Sequence, residues 1–189
     1  MSLFNHKYRV ESARHPYKDY HAPGWYFVTI CTKNKLHYFG SVKTHNMVLS
    51  AAGKIAESEL LRTPEIRDNV VIDAWVIMPN HVHVIFRILP PPFPVETHRG
   101  ASLPAGPHAG GYAPAGPPAG GPAGGPNRFG PQSNNLPSIV RGFKSAVKRR
   151  TNLDGLEFHW QARYHDRIIR DSEALQQIRK YIRQNVIKW

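Results

Sequence analysis

Cysteine occurs once in 189 residues, as Cys31, so no internal disulfide can form and the chain suits a reducing compartment. Cys31 sits among apolar neighbours and reads as a buried structural thiol. Acidic residues are scarce: 13 Asp and Glu stand against 25 Lys and Arg, a formal charge of +12. That balance argues for a polyanionic partner, nucleic acid before membrane, because no basic amphipathic helix with a broad aromatic face is evident. No apolar run approaches the roughly 20 residues that cross a bilayer. The first 18 residues are polar, without the apolar centre of a secretory leader, so a cytoplasmic protein is expected.

Proline and glycine are concentrated in one place. Residues 90–135 carry 12 prolines and 10 glycines in irregular Ala-Gly-Pro and Gly-Gly-Pro steps, with no collagen period. This stretch has little apolar surface to offset the entropy of ordering, so it reads as a disordered insertion within a single domain spanning 1–189. Its charged residues are Glu96, Arg99 and Arg128, net +1, which leaves 12 − 1 = +11 on the remainder.

The remainder alternates strand and helix signals. Trp25 to Thr32 is aromatic and β-branched after Pro23-Gly24, a strand start, and a second strand near His37 to Val42 is expected to pair with it. Ser50 to Arg62 has helical spacing and is closed by Thr63-Pro64. Val70–Ile77 and His81–Leu89 are apolar on both faces, as central strands are. A helix over Ser138–Arg150, a strand over Arg163–Arg170 and a helix over Ser172–Ile187 complete the series. The order β-β-α-β-β-α-β-α predicts an α+β fold: a ferredoxin-like antiparallel sheet with helices on one face.

Two segments carry chemistry. In Met78–Phe86, MPNHVHVIF, strand alternation sends His81 and His83 to one face and Val82, Val84 and Phe86 to the other. Two imidazoles so placed can share a divalent ion, or be hydrogen-bonded surface residues; the strongly apolar strand makes two unpaired rings costly. In YIRQNVIKW, Tyr181 and Asn185 stand four apart on one helix face, beside the apolar stripe of Ile178 and Ile182. A tyrosine there is compatible with plain packing, but the Asn185 oxygen can join the two histidines as a third ligand.

The segments WYFVTICTKNKLHYFG (25–40), VIMPNHVHVIF (76–86), GFKS (142–145), WQARYHDRIIRD (160–171) and YIRQNVIKW (181–189) together resemble the REP-associated tyrosine transposases, within the IS200-like class of HUH single-tyrosine transposases. The resemblance runs in the same order through nearly all of the chain outside the insertion. It implies a palm-like, ferredoxin-like sheet, a metal pair at His81 and His83, a nucleophile at Tyr181 and a third metal ligand at Asn185. The family's usual proline after that asparagine is replaced by Val186. The implied activity is metal-dependent cleavage and transfer of single-stranded, hairpin-containing DNA through a 5′-phosphotyrosine, with Mg²⁺ or Mn²⁺. The implied setting is nucleoid-associated through DNA, as a monomer or as a homodimer in which the tyrosine comes from a partner subunit.

Phosphate contacts are expected from Arg141, Lys144, Lys148, Arg149 and Arg150, with Lys33 and Lys35 adding more, and base stacking from Trp160 or Tyr164. Three other readings compete, one of them a family member that still binds DNA but has lost activity, to which Val186 and the insertion point. A histidine-triad nucleotide hydrolase needs a third alternating histidine, where this chain has Ile85. A catalytically inactive DNA- or RNA-binding member of the same fold explains the charge and the sheet, but not the coincidence of the histidine pair with Tyr181 and Asn185.

Overall fold

A computed structural model describes residues 22–90 and 135–189, so the Pro/Gly-rich stretch lies, apart from its two end residues, outside the described residues. The elements in chain order are β1 (Gly24–Cys31), β2 (Gly40–Lys43), β3 (Asn46–Leu49), α1 (Ala51–Leu61), α2 (Thr63–Ile66), β4 (Val70–Met78), β5 (His81–Ile88), α3 (Leu136–Leu153), β6 (His165–Ile169) and α4 (Ser172–Gln184). Four strands form an antiparallel sheet in the order β4-β5-β1-β6. With β2 and β3 set aside, the series β1-α1-β4-β5-α3-β6 is the β-α-β-β-α-β arrangement of the ferredoxin-like folds.

The second strand does not pair with the first. Both sides of β1 are occupied, by β5 and β6, and the chain leaves β1 through a tight turn at Lys33–Lys35. β2 pairs instead with β3, joined by Thr44 and His45, both with positive φ, the backbone a two-residue hairpin requires.

Central strands need cover on both faces. On one, Tyr26, Val28 and Ile30 of β1 and Val82, Val84 and Phe86 of β5 pack with Ile55, Leu60, Ile139, Phe143 and Val147 of α1 and α3. The expectation of helices on one face holds for this pair. The other face carries α4, whose Ile178 and Ile182 cover Phe27, Ile85 and Ile169. Burying these two isoleucines contributes about 3–6 kcal/mol. A bidentate ion pair fixes the helix further: the Arg179 guanidinium donates to Asp73 at 2.5 and 2.8 Å, where the β4 register shifts between Ile72 and Ala74. Asp171 caps α4, its Oδ1 accepting from the Ala174 amide at 2.7 Å. α4 therefore crosses the sheet face at a set height, with its last turn over the end of β5 where the histidines stand.

Candidate active site

β5 begins at His81 directly after the Pro79-Asn80 turn, and its alternation places His81, His83 and Ile85 toward α4. Antiparallel register sets Thr29 of β1 opposite His83, and Cys31 opposite His81. The apolar part of this face is covered by α4, and the polar part, Thr29 with the two imidazoles, lies beyond Ile182 within reach of Tyr181.

The two rings converge. His81 Nε2 lies 3.0 Å from His83 Nε2, and the Tyr181 hydroxyl lies 3.2 Å from His83 Nε2. The far nitrogens are held from behind. Asn80 Nδ2 donates to the Lys35 carbonyl at 3.2 Å, which turns Asn80 Oδ1 toward His81 Nδ1 at 2.7 Å. An amide oxygen only accepts, so His81 carries its proton on Nδ1 and presents a lone pair at Nε2. Thr29 Oγ1 is hydrogen-bonded to His83 Nδ1 at 2.9 Å; where the hydroxyl accepts, His83 Nε2 is left with a lone pair as well, and where it donates, the ring proton sits on Nε2. Phe27 closes one side, 5.2 Å from the His83 ring and edge-on to Tyr181 at 6.1 Å. Trp189 closes another, its ring 5.8 Å from His81.

Electrostatics keep both rings neutral. Burial, then the Lys35 charge, pushes His81 down to about 4; burial, then His81 itself, pushes His83 down to about 3. With His83 carrying its neutral-ring proton on Nε2 the 3.0 Å contact is a hydrogen bond to His81, and with both rings protonated on Nδ1 the two Nε2 lone pairs face a seat for a cation. Ligands held octahedrally at about 2.1 Å place adjacent donors about 3.0 Å apart, which is the separation seen here. The pair thus fits a divalent cation. Among the described residues no third His, Cys, Asp or Glu joins it.

A stability prediction follows from the same shifts. The unfolded chain binds protons at these histidines near pH 6.5, whereas the folded chain refuses them until about 4 and 3. Folding is therefore favoured by this term above about pH 6.5 and loses it as the pH falls toward 4. Urea unfolding midpoints at pH 7.5 and 5 should drop for the native protein and drop less for a His81→Gln/His83→Gln double variant. Equal drops in the two would contradict the shifts.

No protein-family model matches the chain. An uncharacterized protein of Haemophilus influenzae is 33% identical over 180 residues, 94% of this chain and 88% of its own length. Identity at that level over nearly the whole chain places the two in one family. Among solved structures, a REP-associated tyrosine transposase bound to a REP hairpin aligns with a TM-score of 0.52 at 18% identity, covering 100% of this chain and 74% of that one. The chain has the REP-associated tyrosine transposase fold. The resemblance read in the sequence therefore holds at the level of architecture.

On that fold Tyr181 reaches His83 of its own chain, without a second subunit. Asn185 caps α4 one turn beyond Tyr181, half-buried, with its amide bonded to the Ile182 carbonyl at 3.2 Å and no hydrogen bond to either imidazole. The helix expected to run to Ile187 ends at Gln184.

The basic residues divide into two groups. Lys144 Nζ donates to the carbonyls of Gln161 and Arg163 at 2.8 and 3.0 Å, and Lys148 Nζ to that of Phe158 at 2.6 Å. Arg150 pairs at 2.9 Å with the buried Glu59 carboxylate. These three bind the chain to itself. Trp160, indole nitrogen on the Lys144 carbonyl at 3.0 Å, and Tyr164 both pack against the core. Arg141 and Arg149 are exposed on α3, and Lys33 and Lys35 are exposed on the turn beside His81.

Sequence reasoning missed Thr29 and Asn80 as supports of the histidines. Thr29 was detectable as a polar residue within an otherwise apolar strand core; its partner depended on the register of β1 with β5. Asn80 looked like a turn residue, and its side chain does more than turn the chain.

Proposed function

We propose that this protein is a metal-dependent single-strand DNA endonuclease and strand transferase that acts on hairpin-containing DNA through a 5′-phosphotyrosine intermediate. The observation that carries the proposal is the cluster in which His83 Nε2 lies 3.0 Å from His81 Nε2 and 3.2 Å from the Tyr181 hydroxyl. The net charge of +12 supplies the attraction to a polyanion. The transposase of like fold was solved with a REP hairpin, which is the substrate class we carry over.

His81 and His83 would hold the cation, with Asn185 as the third protein ligand. A Mg²⁺ or Mn²⁺ ion held there would neutralise phosphate charge and so admit a nucleophile. The protein's own part is positional. Tyr181 Oη attacks phosphorus, a P–O bond to the tyrosine forms, and the P–O3′ bond breaks. The tyrosine proton passes to water and the departing 3′ oxygen takes one up. The phosphodiester energy stays in the tyrosine ester, so another 3′-hydroxyl can reverse the step and join a new strand. His83 is poorly suited to act as the base, because a ring held near 3 accepts a proton reluctantly. Lys33 and Lys35, exposed beside His81, are the cations best placed for flanking phosphates.

The test is incubation with single-stranded hairpin DNA labelled at either end, with Mn²⁺ or Mg²⁺. The expected result is a covalent protein adduct on the 5′ end of the downstream fragment, abolished by EDTA. Tight binding with no adduct on any hairpin would instead support the non-catalytic reading. Thr29→Val, which keeps shape and removes the hydroxyl behind His83, should weaken Mn²⁺ binding about 10- to 100-fold by calorimetry. Unchanged affinity would remove Thr29 from the account.

A further inference from the structure

Beside Tyr181, and reaching Thr29 behind His83, strand β6 (with Asp166 among the lining residues) and helix α4 border an open cleft of about 360 Å³. The ring of Tyr181 is one wall, Phe27 and Ile178 give it an apolar floor, and Gln177, His165 and Arg167 stand at its polar rim. None of these last three takes part in the chemistry above. Its size falls at the small end of ligand pockets, roughly 300–1,000 Å³, which suits one nucleotide better than a larger ligand.

The geometry points to a pocket for one unstacked nucleobase of the strand being cut, the base adjacent to the scissile phosphate. This rests on the reading of the chain as a DNA strand transferase. If phosphorus is to meet the Tyr181 hydroxyl, the nucleotides joined to it must pass either side of that ring, and this cavity opens on one side. The floor is aromatic and aliphatic, the surface on which any base can stack. The rim can discriminate. Gln177 has an amide whose nitrogen bonds Glu173 at 3.1 Å, leaving its oxygen to accept from a base edge. The exposed Arg167 guanidinium suits the phosphate or a purine edge. The pocket therefore makes Gln177 a specificity-determining residue for the nucleotide next to the cleavage point, separate from recognition of the hairpin.

The experiment uses the full chain and a set of cleavable hairpin oligonucleotides in which each nucleotide around the cut is varied in turn. The native protein should prefer one base at a position next to the scissile phosphate by about 10-fold in kcat/KM, the scale of one good base-edge contact. Gln177→Leu, at an exposed helix position, should flatten that preference while preferences at other positions stand. A second readout avoids catalysis: 2-aminopurine at that position, bound to Tyr181→Phe protein, should change its emission as it stacks on the floor of the pocket. Adduct formation with an unaltered base preference in Gln177→Leu overturns the pocket and leaves the strand-transfer reading intact. A bound strand whose 2-aminopurine emits as in the free strand at every flanking position does the same. Absence of both binding and adduct with every oligonucleotide overturns the functional reading and the pocket with it.

Discussion

Tyr181→Phe should bind hairpin DNA as the native protein does and leave it uncut. The ring is 47% exposed and its hydroxyl makes one hydrogen bond, to His83, so removing the oxygen takes little from the fold. The aromatic wall against Phe27 is retained. What is lost is the atom we propose to form the bond to phosphorus, and no other hydroxyl in the described structure is hydrogen-bonded to His83 Nε2. A fall of at least about 1,000-fold in cleavage rate is expected, equivalent to about 4 kcal/mol of activation free energy. Binding should be unchanged by anisotropy. Residual cleavage near the native rate would mean that another group, a water molecule included, attacks the phosphate.

His83→Gln should have a comparable effect on cleavage by a different route. His83 is central to the cluster: Thr29, His81 and Tyr181 all bond to its ring, and it is 5% exposed. Glutamine keeps a polar group of similar reach but not the rigid ring that Thr29 aligns, so the second of the proposed metal donors is lost or misplaced. Cleavage should fall by about 100- to 1,000-fold, the range of about 3–4 kcal/mol, and Mn²⁺ binding should weaken with it. Raising the Mn²⁺ concentration should recover part of the His83→Gln activity and none of the Tyr181→Phe activity. That contrast separates a ligand from a nucleophile. If both variants respond alike to metal, the two roles are not distinct.

The sheet was legible because β1, β4 and β5 are apolar on both faces, and the histidine pair because strand alternation is rigid over two residues. Tyr181 was legible as a residue bordering the α4 stripe, since Ile178 and Ile182 fix which side of that helix meets the sheet. The pairing of β2 was not. The residues near His37–Val42 carry strand propensity whichever partner they take, and the choice was made by β6 arriving from far along the chain to occupy the free edge of β1. The place of α4 on the opposite face was hidden for the same reason. The supports of the histidines, Thr29 and Asn80, depend on register and turn geometry across residues more than 40 apart, which periodicity does not encode. Charge alone did not show that Lys144, Lys148 and Arg150, expected as a phosphate-binding row, also engage backbone carbonyls and the buried Glu59.

The central claim is that Tyr181 becomes covalently joined to DNA. Mass spectrometry of the protein after incubation with a hairpin oligonucleotide and Mn²⁺, followed by nuclease and protease digestion, reads this directly. The account predicts a peptide containing Tyr181 heavier by the residual nucleotide phosphate, absent without metal. Cleaved DNA with Tyr181 unmodified, or with the nucleotide on another residue, would contradict it.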